Sequence, residues 1–179
     1  GQYSLTASFA AGSSSVNYDY TVTSDASSSS PAEEGGQITY TITRSGSGTA
    51  STVYVATNAA NTATAEVDFT HISSQAVSFA SDETVKTVIV DTLTDSVYEE
   101  KEYIYLMLFK SESALDDFDY SSYGTGYVSN STALTSSLSS SASTVNNGQT
   151  VTFTLTTNAA NDTEFDWTIS GVSSADIVG

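Results

Sequence analysis

Asp91-Thr-Leu-Thr-Asp95-Ser-Val-Tyr-Glu99-Glu100-Lys-Glu102 runs without interruption into Tyr103-Ile-Tyr-Leu-Met-Leu-Phe109. The second half has the alternation of a half-buried strand, with Ile104, Leu106 and Leu108 toward a core and Tyr103, Tyr105 and Met107 facing outward. The first half packs five carboxylates into twelve residues, with only Lys101 to answer them. Charge at that density beside a half-buried strand repels itself unless a cation or full solvent exposure relieves it. Hard oxygen donors suit Ca²⁺. The alternative is a solvated acidic turn that keeps the protein soluble. Glu100 and Glu102 are expected to be surface charges only.

Working outward, the same period recurs. In Gln37-Ile-Thr-Tyr-Thr-Ile-Thr43, Ile38, Tyr40 and Ile42 share one face and the threonines the other. Tyr18-Asp-Tyr-Thr-Val-Thr23, Thr52-Val-Tyr-Val-Ala-Thr57, Ala76-Val-Ser-Phe79, residues 85–90 and Gly126-Tyr-Val-Ser129 complete the set. Residues 58–65 are expected to form a small-residue loop, and residues 111–120, with Asp116, Asp117 and Asp119, a surface loop. Short strands every ten or so residues, separated by Gly, Ser and Asn turns and with no helical period, predict an all-β antiparallel β-sandwich.

The totals narrow the partners. Twenty-one acidic residues against Arg44, Lys86, Lys101 and Lys110 leave a formal charge of −17, which repels nucleic acid and anionic lipid. The longest apolar run, residues 103–109, is far short of the ~20 residues of a membrane-spanning helix, so no membrane insertion is expected. Without cysteine there is neither a disulfide framework nor a thiolate metal site. A start at Gly1-Gln2-Tyr3, without Met or a leader, is that of a processed or excised piece.

An internal repeat divides the chain. Thr135-Ser136, a Ser-rich stretch, Gly148-Gln149 and Val151-Thr-Phe-Thr-Leu-Thr156 echo Thr23-Ser24, residues 27–30, Gly36-Gln37 and Ile38-Thr-Tyr-Thr-Ile-Thr43 at offsets of 112 and then 113 residues. Asn158-Ala-Ala-Asn161 repeats Asn58-Ala-Ala-Asn61, and Ala175-Asp176-Ile177 is similar to Val67-Asp68-Phe69. The expected organisation is an N-terminal strand or linker over residues 1–17, one complete sandwich over 18–131, and the front of a second module over 132–179. Such a partial module leaves an open edge. Its missing strands are expected either in sequence beyond residue 179 or from a neighbouring module or subunit. Tyr3-Ser-Leu-Thr-Ala-Ser-Phe9 is the candidate donor strand for that complementation.

Four landmarks in order resemble the Calx-β domain: Glu33-x-x-Gly36 leading a strand that ends at Arg44; Thr-Ala-Glu-Val-Asp68-Phe69; Val77-x-Phe79 with a turn and Lys86; and Asp95-Ser-Val97-Tyr-Glu99-Glu100-Lys-Glu102. The resemblance implies an immunoglobulin-like sandwich that holds Ca²⁺ at one end through carboxylates of several loops. Carried across by position, it assigns Glu33, with Glu34 one residue on as an equal reading, then Asp68, Asp95 and Glu99, and the backbone carbonyl of Val97. A single Asp95 between Thr94 and Ser96, and Ser129-Asn130-Ser131 in place of closing aspartates, argue against a multi-ion regulatory site. One or two weak sites are expected, of affinity on the order of 10⁻⁴ to 10⁻³ M.

Catalysis finds little support. His71 is the only histidine and no Gly-x-Ser-x-Gly elbow accompanies it. Trp167, the sole Trp, is expected to anchor the core of the second module. The leading functional class is a non-catalytic, Ca²⁺-stiffened module of a large secreted or cell-surface protein, serving adhesion, a coat or an extracellular filament. The others are a carbohydrate- or ligand-binding sandwich, hinted at by outward Tyr103 and Tyr105, and an accessory domain of a larger extracellular enzyme. Two sequons, Asn130-Ser-Thr132 and Asn161-Asp-Thr163, are present.

Overall fold

Alternating apolar residues place two sheets face to face in a computed structural model that describes residues 17–60, 63–161 and 163–171. The strands are β1 (Tyr20–Ser24), β2 (Ala32–Glu33), β3 (Gln37–Arg44), β4 (Ser51–Ala60), β5 (Gln75–Phe79), β6 (Val85–Asp91), β7 (Glu102–Phe109) and β8 (Ser122–Ser129). One sheet has the order β1-β3-β6 and the other β2-β8-β7-β4-β5. All pairings within them are antiparallel except the two-residue β2, which lies parallel to β8. The sandwich expected from the strand pattern is the fold observed.

The core is the sum of the inward parities. Val22, Ile38, Tyr40, Ile42, Val88 and Val90 from the smaller sheet meet Val53, Val55, Val77, Phe79, Ile104, Leu106, Leu108 and Val128 from the larger. Each such side chain contributes roughly 1.5–3 kcal/mol on burial. Tyr40 spans the gap and donates its hydroxyl to the Ile104 carbonyl at 2.8 Å. That crossing needs a strand without side chains above it: a Cβ on Gly126 would lie 2.6 Å from the Tyr40 hydroxyl and 2.7 Å from Ile38 Cγ2. At the end where β3 finishes, buried Arg44 donates to the Thr49 carbonyl and Ser51 Oγ, with its guanidinium 4.3 Å from the Tyr18 ring centroid.

Two local expectations are corrected and a third is refined. Residues 58–60 extend β4 instead of opening a loop, because the register continues with Asn58 opposite Tyr105, Ala59 opposite Ile104 and Ala60 opposite Tyr103. The segment after β7 contains a short helix, α1 (Glu112–Asp116), capped by Ser111, whose Oγ accepts the Ala114 amide. Met107 does lie on the outward face of β7, yet it is only 6% exposed. On that face Phe109 packs against Phe118.

Beyond residue 130 the chain forms a two-stranded antiparallel ribbon, β9 (Ser136–Ser140) and β10 (Phe153–Thr157). Its apolar residues Leu138, Phe153 and Leu155 are exposed, and no described residue after 128 is buried. Trp167 does not anchor a core: it is 79% exposed, because no second sheet lies over it among the described residues. The ribbon meets the sandwich through a parallel bridge, with the Tyr98 amide donating to the Asn158 carbonyl at 2.7 Å and the Ala160 amide to the Tyr98 carbonyl at 2.9 Å. The candidate donor strand of residues 3–9, and Asp176, lie outside the described residues. Among the described residues no helix is long and apolar enough to cross a membrane.

Candidate metal centre

Three segments converge at the end of the sandwich opposite Arg44. The first is the turn after β2. Gly35 takes a left-handed φ of 74°, and a Cβ there would press within 2.8 Å of Thr94 Cγ2. Buried Thr92 ties this turn to the exit of β6, donating to the Glu33 carbonyl at 2.8 Å and accepting the Gly36 amide at 2.9 Å. The second is the loop of residues 64–69, anchored by fully buried Phe69. Asp68 accepts the Thr64 amide through Oδ2, and its carbonyl receives the Leu93 amide at 2.8 Å. The third is the acidic segment itself, where Asp95 Oδ1 accepts the Val97 amide at 2.8 Å.

The convergence brings Asp68, Glu99 and Glu102 together, with one carboxylate oxygen of each within 4.8 Å of the others. Asp68 and Glu102 are each 3% exposed, and Glu99 is half-buried. Glu99 Oε2 is buried and accepts no hydrogen bond among the described residues. Burial first, then the charges of Asp68, Asp95 and Glu34, pushes the Glu99 carboxyl up to about 7. Asp68 is raised as well, again by burial first, with the Thr64 amide opposing and Asp95 and Glu34 adding to it. Two like charges about 4 Å apart repel by ~4 kcal/mol at an effective dielectric of ~20. Lys101 does not relieve them: its ammonium donates to the Ser28 carbonyl and Oγ at 2.9 Å and lies 5.6 Å from the Tyr127 ring centroid.

Of the residues assigned from sequence, Asp68 and Glu99 stand in this cluster, and Asp95 and Glu34 are close enough to shift both. Glu34 holds the edge of the site, its Oε1 accepting from Asn130 Nδ2 at 3.2 Å and its Oε2 from Ser131 Oγ at 2.9 Å. Glu33 is not brought in. Its side chain is exposed, and it contributes its backbone carbonyl to Thr92 instead. The Val97 carbonyl faces the same end and accepts from Asn130 Nδ2 at 3.1 Å. The Asn130 amide thus ties Glu34 to Val97.

Glu102 is the residue that the sequence reading missed, and its expected place on the surface is corrected. It opens β7 on the same parity as Ile104, Leu106 and Leu108, so the strand that buries those residues turns its carboxylate inward too. That parity was the available signal. Glu100 has the same parity but precedes β7, and it is exposed. His71 lies outside the cluster, with its Nδ1 2.9 Å from Thr57 Oγ1 and its amide donating to Glu66.

A donor set of buried carboxylates with an unpartnered oxygen, mutually repelling and lacking nitrogen or sulfur ligands, fits a hard divalent cation such as Ca²⁺. Residues 17–135 match the family described as the Calx-beta domain. Among solved structures, the chain is similar to the apo form of the Calx CBD1 domain, at 20% identity and a TM-score of 0.43 over 63% of this chain and 96% of that one. It is similar too to the calcium binding domain CBD12 of CALX1.1, at 21% identity and a TM-score of 0.44 over 61% of this chain and 44% of that one. The Calx CBD2 domain follows at 16% identity and 0.41, covering 62% and 85%. No curated protein matches.

Proposed function

We propose, from the premise that this chain belongs to the Calx-beta domain family, that residues 17–135 form a non-catalytic Ca²⁺-binding module whose ion stiffens one end of the sandwich. The observation that carries the reading is the trio Asp68, Glu99 and Glu102, whose carboxylate oxygens gather within 4.8 Å. A bound Ca²⁺ supplies the positive charge that lets all three remain ionised. Asp68, Glu99 and Glu102 are the ligands, with Asp95, Glu34 and the Val97 carbonyl at hand to complete the six to eight oxygens that Ca²⁺ takes.

The residues do the mechanical work. Asp68 is tied by its backbone to Leu93, Asp95 to Val97 and Thr132, and Glu34 to Asn130 and Ser131. Holding the carboxylates in one place therefore fixes three loops and the exit of the chain toward the ribbon. Without the ion those loops repel one another. A stiffening role suits a repeated module in a large secreted or cell-surface protein or filament, where millimolar Ca²⁺ is present and weak sites fill.

Thermal unfolding tests the reading. The melting temperature rises when chelator is replaced by millimolar Ca²⁺, with a gain of about 2.7 kcal/mol once free ion reaches a hundredfold excess over the dissociation constant. Asp68→Asn removes most of that gain. An equal melting temperature in chelator and in Ca²⁺, or a gain that Asp68→Asn leaves intact, overturns the assignment.

A further inference from the structure

We propose that the outer face of the five-stranded sheet carries a second binding site, an aromatic cage for a trimethylammonium group, formed by Tyr105, Tyr120, Tyr123 and Met107. These four residues line a dent of about 160 Å³, on the face of β7 opposite to that of Glu102. The β7–β8 register sets Met107 opposite Tyr123 and Tyr105 one pleat away. Tyr120 arrives from the loop after α1. That loop is fixed by the Asp119 amide donating to the Ala114 carbonyl at 2.7 Å and the Ser121 amide to the Leu108 carbonyl at 2.8 Å.

Ring geometry separates a cage from a platform. A sugar polymer stacks on coplanar, outward-facing rings. Here Tyr105 meets Tyr123 at 5.2 Å and 73°, and Tyr120 meets Tyr123 at 5.9 Å and 80°. Near-perpendicular rings make walls, and Met107, 6% exposed with its Sδ accepting from Asn58 Nδ2 at 3.7 Å, makes a polarisable floor. Tyr120 and Tyr123 remain 43% and 49% exposed, so the corner is open to solvent.

Charge selects the occupant. Ring faces attract cations. Exposed Glu112, Asp116, Asp117 and Asp119 lie on the same segment, while residues 111–129 contain no Lys or Arg. The neighbouring Lys110 is engaged by Asn17 and Asp19, at 3.2 and 3.4 Å. No carboxylate lines the dent, so a metal ion has no ligands in it. A primary ammonium would bring N–H donors that no carboxylate lining the dent accepts, and would lose hydration against the ring faces. A trimethylammonium group carries charge without such donors.

Titration of the full chain in Ca²⁺ with choline chloride, followed by the tyrosine ring resonances, tests the site. Its neutral carbon isostere serves as the control, and a trimethyllysine peptide separates a free ligand from a protein-borne one. Saturable shifts of Tyr105, Tyr120 and Tyr123 with choline or the peptide, and none with the isostere, are expected. Replacing one ring by Tyr123→Ala weakens binding by about threefold or more, whereas Tyr120→Phe changes it by less than about twofold because the ring face is kept. Unchanged melting curves show that each variant is folded. Equal binding of choline and its isostere, or no saturable shift with any cation, overturns the proposal, as does binding of a neutral oligosaccharide with no response to the cations.

Discussion

Glu102 shows how the parity of a strand can carry a carboxylate into a cluster of others. It is 3% exposed beside two other carboxylates. Glu102→Gln keeps the shape and removes one of the repelling charges. The variant is therefore expected to gain less from Ca²⁺ than the parent, the gap between its chelator and Ca²⁺ melting curves shrinking by about 1–2 kcal/mol. A purely structural role would lower both curves. Glu112→Gln, on an exposed helix turn, stays within about 0.5 kcal/mol in both conditions. Proton binding obeys the same logic. With the Glu99 carboxyl raised to about 7, the folded ion-free protein holds a proton that the unfolded chain has already released above its ordinary value near 4.5. Stability in chelator therefore falls as pH rises from about 4.5 through about 7, and the gain from Ca²⁺ grows over the same window, because the metal competes with that proton. Melting curves at pH 5, 6, 7 and 8 with and without chelator would expose a flat profile, which is the contrary result. Part of this site was legible in the sequence: Asp68 and Glu99 stood at matching landmarks. Glu102 was obscured because charge was weighed ahead of strand parity. The choice between Glu33 and Glu34 turned on one residue of register that only the pairing of β2 with β8 supplies.

At the scale of elements, alternation served well wherever a strand is buried on one face, and less well where short-range packing decides. The inward residues of β3 and β7 follow from parity alone. The extent of β4 does not, because Asn58, Ala59 and Ala60 have weak strand preferences and are held by their pairing with β7. The five residues of α1 are too few to show a helical period, although Ser111 ahead of Glu112 is a capping signal. The role of β8 depends equally on what faces it. Gly126 is there because Tyr40 crosses the core above it, with no space for even a methyl group. Gly126→Ala should cost about 1–3 kcal/mol through displacement of Tyr40 and Ile38. Adding Tyr40→Phe, which removes the hydroxyl at 2.6 Å, should recover part of that loss in a double-mutant cycle. Additive losses in denaturant titrations would show that the clash lies elsewhere.

For the whole molecule, the decisive feature is the position of the ribbon relative to the acidic end. Tyr98 sits between Val97 and Glu99, and both its backbone groups pair with residues 158 and 160 of the following segment. Thr132, between the sandwich and β9, donates to the Asp95 carbonyl at 3.0 Å. Any ion that holds Asp95 and Glu99 in place therefore holds Tyr98 as well, and with it the first contact between sandwich and ribbon. Apart from this contact the ribbon has no buried side chain to keep it docked. Its local opening should then follow the order of the acidic segment, since elements with few buried contacts open at low free energy. Hydrogen exchange on the full chain should show the Tyr98 and Ala160 amides protected in millimolar Ca²⁺ and at least about tenfold faster in chelator, a factor equal to ~1.4 kcal/mol of opening free energy. The Tyr105 amide, within β7, reports the sandwich and should change little. If Tyr98 and Ala160 exchange at the same rate with and without the ion while the melting temperature still rises, Ca²⁺ stabilises the sandwich without ordering its junction with the segment that follows.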